Sequence, residues 1–298
     1  MLKWLALAGG LIVFLALIAV VYQILSGAAT AFDKFGIGFI GHRPWIVAED
    51  QYGGFTLIYG TLVTGFGSVI LATFLGVSIG LLLSLMAPRR VAAVVGPLIE
   101  MLAAIPSVVI GLIGIYLICP FVESDIEPWA HSAFGWIPIF GVPGTVGNSL
   151  FTAILVLTIM VVPIIAALTR DLFLTVPQEL RDGAEALGAT RFEMIRGVVL
   201  PTTRSGITAA CVLGFGRAIG EAIAVSQVVG GIEQAPLNLF SGGNTIGSLM
   251  ASELPGATTT LNKSALFFLA AILLVLGIGT NLLAQRISRG VRGAIPVV

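Results

Sequence analysis

The chain has 298 residues, of which 57% are hydrophobic and 10% charged, against roughly 45–50% apolar and about 25% charged in an average soluble domain, so a soluble enzyme is excluded. Fifteen Lys+Arg balance fifteen Asp+Glu; no net field gathers nucleic acid or acidic lipid, and the placement of the charges carries the information instead. Cys119 and Cys211 both lie inside apolar runs and read as small packing residues, without companions for a metal site.

Apolar runs of membrane-crossing length organise the chain into one transmembrane domain, 1–298, with six spans at about 4–25, 57–86, 91–121, 145–173, 206–231 and 264–284. Each holds about the 20 apolar residues that cross ~30 Å of hydrocarbon. Backbone groups in lipid must be satisfied internally, so the expected fold class is all-α integral membrane. The first span, Trp4 to Leu25, exceeds the ~7–15 residues of a signal-peptide core and reads as a retained anchor, with cleavage near Ala28-Ala29-Thr30-Ala31 as the alternative. Gly60, Gly76 and Gly80 on the second span suit close helix packing. Pro106 and Pro163 lie inside spans and should kink them or mark breaks.

Orientation follows from Lys and Arg outside the spans. With a cytoplasmic N-terminus that side receives eleven: Lys3, Arg89, Arg90, Arg170, Arg181, Arg191, Arg196, Arg204, Arg286, Arg289 and Arg292. The other side receives three, Lys34, Arg43 and Lys263, which places both termini in the cytoplasm. The far side collects Asp33, Glu49, Asp50, Glu123, Asp125, Glu127, Glu233 and Glu253, with His42 and His131 as two lone loop histidines. These read as solvated surface, not as a metal site.

Only Glu100, Arg217 and Glu221 are charged residues deep within spans, and such residues are functional candidates by default. Glu100 stands a third of the way along its helix, where a hydrogen bond to a neighbouring helix explains it as well as a role in transport. Arg217 and Glu221 are four apart, hence one turn apart on a helix face. Counted from Gly206, Arg217 lies about 17 Å into its span, near the midplane. A mutually neutralising structural pair and a polar solute pathway both account for them. Arg217 by itself argues only for an anion.

The cytoplasmic loop 175–201 changes from membrane-like to amphipathic. Thr175-Val176-Pro177-Gln178 has capping-box spacing, Leu180, Ala184 and Leu187 fall on one face, and Gly188 ends the helix. Thr190-Arg191-Phe192-Glu193 repeats the box and starts a second helix, which Pro201 is expected to close. Five Arg face Asp171, Glu179, Asp182, Glu185 and Glu193, a balance unlike the basic polar face of a lipid-lying helix. Two short helices with apolar knobs suit the groove of a partner protein. The segment Leu237 to Leu254 reads as a partly helical outer gate or receptor-contact loop, with a linker as the alternative. No Lys in the chain sits in a Gly-Lys-Ser/Thr nucleotide loop, so the chain is not an ATPase by itself.

Asp182-Gly183-Ala184, Gly188 and Val198-Val199-Leu200-Pro201 resemble the EAA loop of binding-protein-dependent ABC importer permeases, whose fold is MetI-like. Asp182, Gly183 and Val198 depart from the family's Glu, Ala and Ile. The segments Tyr59–Thr64, Ala87–Arg90, Glu100–Val109, Gly216–Ala222 and Asn238–Ile246 look, in order, like those of phosphate-importer permeases of the PstC family more than of the sister PstA family. The resemblance implies a non-enzymatic transport subunit in a bacterial cytoplasmic (inner) membrane that moves inorganic phosphate. It implies a heterodimer with a PstA-like permease, two PstB-like ATPase subunits that carry ATP–Mg, and an extracytoplasmic PstS-like phosphate-binding protein; no cofactor is bound by this chain and no nucleic acid is a partner. It assigns ATPase coupling to Asp182, Gly183, Ala184, Gly188, Leu200 and Pro201, and the anion pathway to Arg217, Glu221 and Glu100. Another oxyanion such as sulfate or molybdate, or an organic solute, is the alternative cargo. A proton-coupled secondary transporter using Glu100 and Glu221 is the alternative mechanism.

Overall fold

The computed structural model describes residues 2–144 and 146–292; the ends of the expected domain and Thr145, the expected start of the fourth span, lie outside them. Among the described residues the regular structure is helical, and six helices are long and apolar enough to cross a membrane. In chain order the main elements are α1 (Leu2–Phe35), α2 (Phe55–Met86), α3 (Arg89–Ala103), α4 (Ser107–Phe134), α5 (Leu150–Leu174), α6 (Gln178–Ala186), α7 (Arg191–Ile219), α8 (Ile223–Val228), α9 (Ile246–Glu253) and α10 (Thr260–Arg292).

The centre is the parallel pair α2 and α5, which closes over glycines. A Cβ on Gly67 would lie 2.8 Å from Ile154 Cδ1 and one on Gly76 would lie 2.8 Å from Ile165 Cγ2. A Cβ on Gly80 would strike Thr169. Small residues let the backbones approach, and dispersion replaces the hydrophobic drive that lipid cannot supply. The hydroxyls of Thr158 and Thr169 donate to the carbonyls of Ile154 and Ile165, each at 2.7 Å, which buries them without loss. α7 runs antiparallel to α5, with Gly206 against Leu172 and Gly214 against Val161. α1 and α10 pair outside this core, where Gly27 meets Phe267 and Ser264 accepts from the Ala31 N–H at 2.8 Å.

Two expected spans are corrected. The span 91–121 is not one helix: α3 stops at Ala103 and α4 starts at Ser107. Pro106 has no N–H and pushes Ile105 out of helical geometry, so the chain turns there. The crossing helix is α4, which continues through Glu123, Asp125, Glu127 and His131 to Phe134, residues expected in a loop. The span 206–231 also moves. α7 begins at Arg191, breaks after Ile219 and resumes only as the six-residue α8.

Pro201 does not close its helix either. It follows a wide turn of π type at Ile195–Val199, and Pro120 and Pro128 follow similar turns at Gly114–Ile118 and Val122–Ile126. A proline lacks an N–H and its ring crowds the carbonyl one turn back; a widened turn ahead of it removes both conflicts. Pro163 is likewise carried inside the continuous α5.

The topology sorts the charges to two ends. Arg89, Arg170, Arg181, Arg191 and Arg204 stand where α2, α5 and the start of α7 meet, and Asp33, Glu49, Asp50, Glu123, Asp125, Glu127, Glu233 and Glu253 stand with Lys34, Arg43 and Lys263 at the other.

Candidate functional site: an ion pair at a helix break

α7 ends at Ile219 and the chain turns through Gly220, Glu221 and Ala222 before α8. Arg217 Nη1 lies 2.6 Å from Glu221 Oε2, with the arginine side chain 42% and the glutamate 4% exposed. The second carboxylate oxygen of Glu221 accepts the Ala224 N–H at 3.2 Å. Glu221 therefore does two things: it neutralises the arginine and it holds the first turn of α8, where free N–H groups favour an anion. The pair spans a break, not a turn of one helix.

Ile219 and Phe215 pack on Gly65, which at about 1.5 Å per residue is some 15 Å from the Phe55 end of α2. The break also sits against α9, where a Cβ on Gly247 would meet the Glu221 backbone. Thr245 and Ser248 form a reciprocal capping box at the start of α9, and the Ile246 N–H donates to Thr61 Oγ1 of α2 at 3.0 Å. Ile246, Gly247, Ser248 and Leu249 are buried, and a Cβ on Gly247 would come 2.7 Å from the Glu221 carbonyl oxygen. The segment 237–254 therefore holds a short helix that packs into the protein against the Glu221 backbone, and its Phe240 is buried against Phe140 and Phe151.

Glu100 is not part of this site. It lies on α3 and its Oε1 accepts from Arg170 Nη1 at 3.0 Å, at the arginine-rich end, with its side chain 55% exposed. Gly96 makes room for the guanidinium, since a Cβ there would lie 2.5 Å from Nη1. The expected trio is thus a pair plus a separate surface ion pair, and the break at Pro106 is the reason.

The loop residues divide between a buried cluster and an exposed tip. Ala184 and Leu200 pack on the buried cluster of Phe173, Val176, Met194 and Val199, while Asp182, Gly183 and Gly188 stay exposed. Thr190 and Glu193 form the expected capping box: the Thr190 N–H donates to Glu193 Oε2 at 2.8 Å and the Glu193 N–H to Thr190 Oγ1 at 3.3 Å. Thr175 does not cap α6; its hydroxyl donates to the Leu172 carbonyl at 2.7 Å and Pro177 occupies the cap position. Leu187 is 91% and Phe192 70% exposed, apolar knobs at the tip of the loop that are not covered among the described residues. Pro201 is exposed.

Glu127 is a further buried charge that sequence reasoning left on the surface. It is fully buried on α4, its Oε2 accepts the Gly144 N–H at 2.8 Å, and Oε1 has no partner among the described residues. Cys119, Val122 and Ala130 are buried on the same helix, and the wide turn at Val122–Ile126 brings Glu127, five residues after Val122 and three before Ala130, onto that stripe. His131 sits on α4 with Nδ1 3.2 Å from the Phe140 carbonyl oxygen.

On the acidic face, burial raises the Glu253 carboxyl above its ordinary range; the Trp45 Nε1–H, donating to Oε2 at 2.9 Å, opposes this, and the nearby Glu233 charge adds to the rise. A raised carboxyl favours the folded state in its protonated form. That contribution is full below the ordinary value of about 4.3 and is lost as pH rises through the raised folded value. Glu253→Gln keeps an acceptor for Trp45 and removes the charge, so its unfolding midpoint should exceed the parent's at neutral pH, with the difference vanishing toward pH 4. A parallel pair of midpoint-against-pH curves for the two proteins would refute this.

A bundle of six crossing helices, with a helical loop at one end and a half-buried ion pair at a helix break, is the architecture of a membrane transport component. The family described as binding-protein-dependent transport system inner membrane component matches residues 72–293. The phosphate transport system permease protein PstC of Pasteurella multocida is 40% identical over 269 residues, 89% of this chain and 83% of that protein. PstC 1 of Mycobacterium tuberculosis is 37% identical over 321 aligned positions, covering 99% of this chain and 94% of the relative. The chain belongs to this family of phosphate transport system permease proteins, a multi-pass, non-enzymatic inner-membrane subunit of an ABC transporter. Solved structures share the fold: a bacterial alginate ABC transporter in complex with its alginate-bound periplasmic protein (TM-score 0.60, 18% identity, 96% of this chain and 95% of that one) and the inward-facing MetNI methionine ABC transporter (TM-score 0.58, 19% identity, 79% and 94%).

Proposed function

We propose that the chain is one of the two membrane subunits of an ATP-driven importer that carries inorganic phosphate inward, with both termini and the arginine-rich face in the cytoplasm. The observation that carries this reading is the half-exposed Arg217 held by a buried carboxylate at a helix break. A planar guanidinium offers paired, charge-assisted hydrogen bonds that replace the water a phosphate loses. The carboxylate neutralises the arginine when the path is empty and competes with the anion, so release remains possible. The names of the relatives support phosphate as cargo.

The partners proposed are a PstA-like permease completing the pathway, two PstB-like ATPase subunits that bind ATP–Mg, and a PstS-like phosphate-binding protein on the acidic face; this chain binds no cofactor. The exposed Leu187 and Phe192 supply the apolar contact for the ATPase, and Ala184 and Leu200 tie that contact to the ends of α5 and α7. Uptake of labelled phosphate and sulfate by the reconstituted four-component complex tests the reading. ATP-dependent phosphate uptake is expected; uptake that an uncoupler stops and that continues without the ATPase would overturn it, and ATP-dependent uptake of sulfate alone would overturn the cargo.

Gly188 has φ of +87° in the turn between α6 and α7, and nothing lies within 4 Å of where its Cβ would be. The cost of a side chain there is backbone strain alone, about 1–2 kcal/mol for most residues. Asn tolerates this region better than Leu does. Gly188→Leu should hydrolyse ATP with transport reduced several-fold, and Gly188→Asn should restore much of the ratio. Wild-type transport per ATP in the Leu variant would remove this turn from the coupling path.

A further inference from the structure

Between the end of α2, the first turn of α3 and the inner side of the loop lies a cavity of about 490 Å³. Its wall carries four guanidinium groups, Arg89, Arg170, Arg181 and Arg191, against two carboxylates, Asp182 and Glu185. These arginines are distinct from Arg217 of the proposed pathway and from the residues proposed for coupling. Among the described residues only Arg170 of the four has a carboxylate within 4.0 Å, that of Glu100. Arg181 Nε is buried and has no hydrogen-bond partner among the described residues. A buried donor left unpaired is costly, and natural proteins rarely keep one without a reason. The first turn of α3 also lines the cavity, and no side chain caps its N–H groups. Guanidinium forks and uncapped helix N–H groups together make an oxyanion site, and both favour the tetrahedral oxygens of a phosphoryl group.

We propose that this cavity binds a phosphoryl oxyanion at the arginine-rich face, separate from the Arg217 site, and that the bound anion ties α6 to the ends of α2 and α3. The bound group would rigidify the element that moves against the ATPase, so occupancy would bias the coupling loop. Two sources offer the same chemistry: free inorganic phosphate and the headgroup of an anionic phospholipid.

Hydrogen exchange on the full-length chain in detergent tests this by binding alone, so its failure is distinct from a failure of the proposed cargo. The Arg217→Gln background silences the pathway arginine. The probes are inorganic phosphate and short-chain phosphatidylglycerol, with phosphatidylcholine as control. At least one anionic probe should slow exchange across 84–93 and 178–191 several-fold, and Arg89→Gln/Arg181→Gln should raise its half-saturating concentration at least about tenfold. Protection by phosphate alone identifies the free anion; protection by phosphatidylglycerol at lower concentration identifies a lipid headgroup. If the double variant does not fold, Arg181→Lys, which keeps the charge and loses the Nε–H and the fork, should still weaken the effect. Protection equal in parent and variants, equal with phosphatidylcholine, or absent with both anionic probes overturns the proposal.

Discussion

Arg217→Gln is expected to lower phosphate uptake at least tenfold and up to about a hundredfold, because hydrogen bonds to a charged group are worth roughly 1.5–3 kcal/mol and each 1.4 kcal/mol is a factor of ten. Arg217→Lys keeps the charge and loses the fork, so it should transport weakly, between the parent and the Gln variant. Part of any loss arises from Glu221, which is 4% exposed in its side chain and would be left unpaired. The structure supplies a cleaner double variant. Glu221 Oε1 accepts the Ala224 N–H, so Leu at 221 would remove a helix cap together with the charge, whereas Gln keeps the acceptor. Arg217→Met/Glu221→Gln should therefore assemble, retain its thermal stability within a few degrees and still fail to transport. Replacing a buried ion pair with apolar or neutral groups of similar volume is often harmless to folding. Phosphate uptake by this double variant at the parental rate would make the pair structural and put the route elsewhere.

Gly60→Ala is expected to have the largest effect on stability. The added Cβ would collide with the backbone carbonyl oxygen of Asn244, which no side-chain rotation can move aside. To admit it, α9 must shift away from α2, stretching the bond from the Ile246 N–H to Thr61 Oγ1 and loosening the buried Ile246 and Leu249. Overpacking and one lost buried hydrogen bond together cost roughly 2–4 kcal/mol. Gly277→Ala is the matched control, since nothing lies within 4 Å of its Cβ and alanine favours a helix by about 1 kcal/mol over glycine. Thermal unfolding in detergent should separate the two in opposite directions. Because α9 touches Glu221 through Gly247, Gly60→Ala should also impair uptake beyond its effect on the amount of folded protein. A melting point for Gly60→Ala equal to the parent's would mean that α2 and α9 do not close as described.

Several features could be read directly from the chain because their causes are local. Apolar runs long enough to cross hydrocarbon must become helices wherever they pack, so the number of crossing helices follows from the sequence, while the bounds of the third and fifth do not. The break at Pro106, the box of Thr190 and Glu193 and the left-handed Gly188 depend on groups within about four residues of one another, a distance over which backbone sterics decide. The reach of Pro201 was misjudged for a related reason: whether a proline ends a helix or is absorbed depends on the turn before it, and the widened turn at Ile195–Val199 is not announced by residue type. Tertiary packing alone decided the rest. Glu100 finds Arg170 seventy positions away because α3 folds back on α5, and no periodicity records that meeting. Glu127 is buried through the approach of Gly144, and the four arginines of the cavity come from four elements, α3, α5, α6 and α7. Helix spacing governs i to i+4, whereas the identity of a charge's partner is set by which helix faces close on one another, and in this chain that was decided by glycines whose missing side chains admit a neighbour.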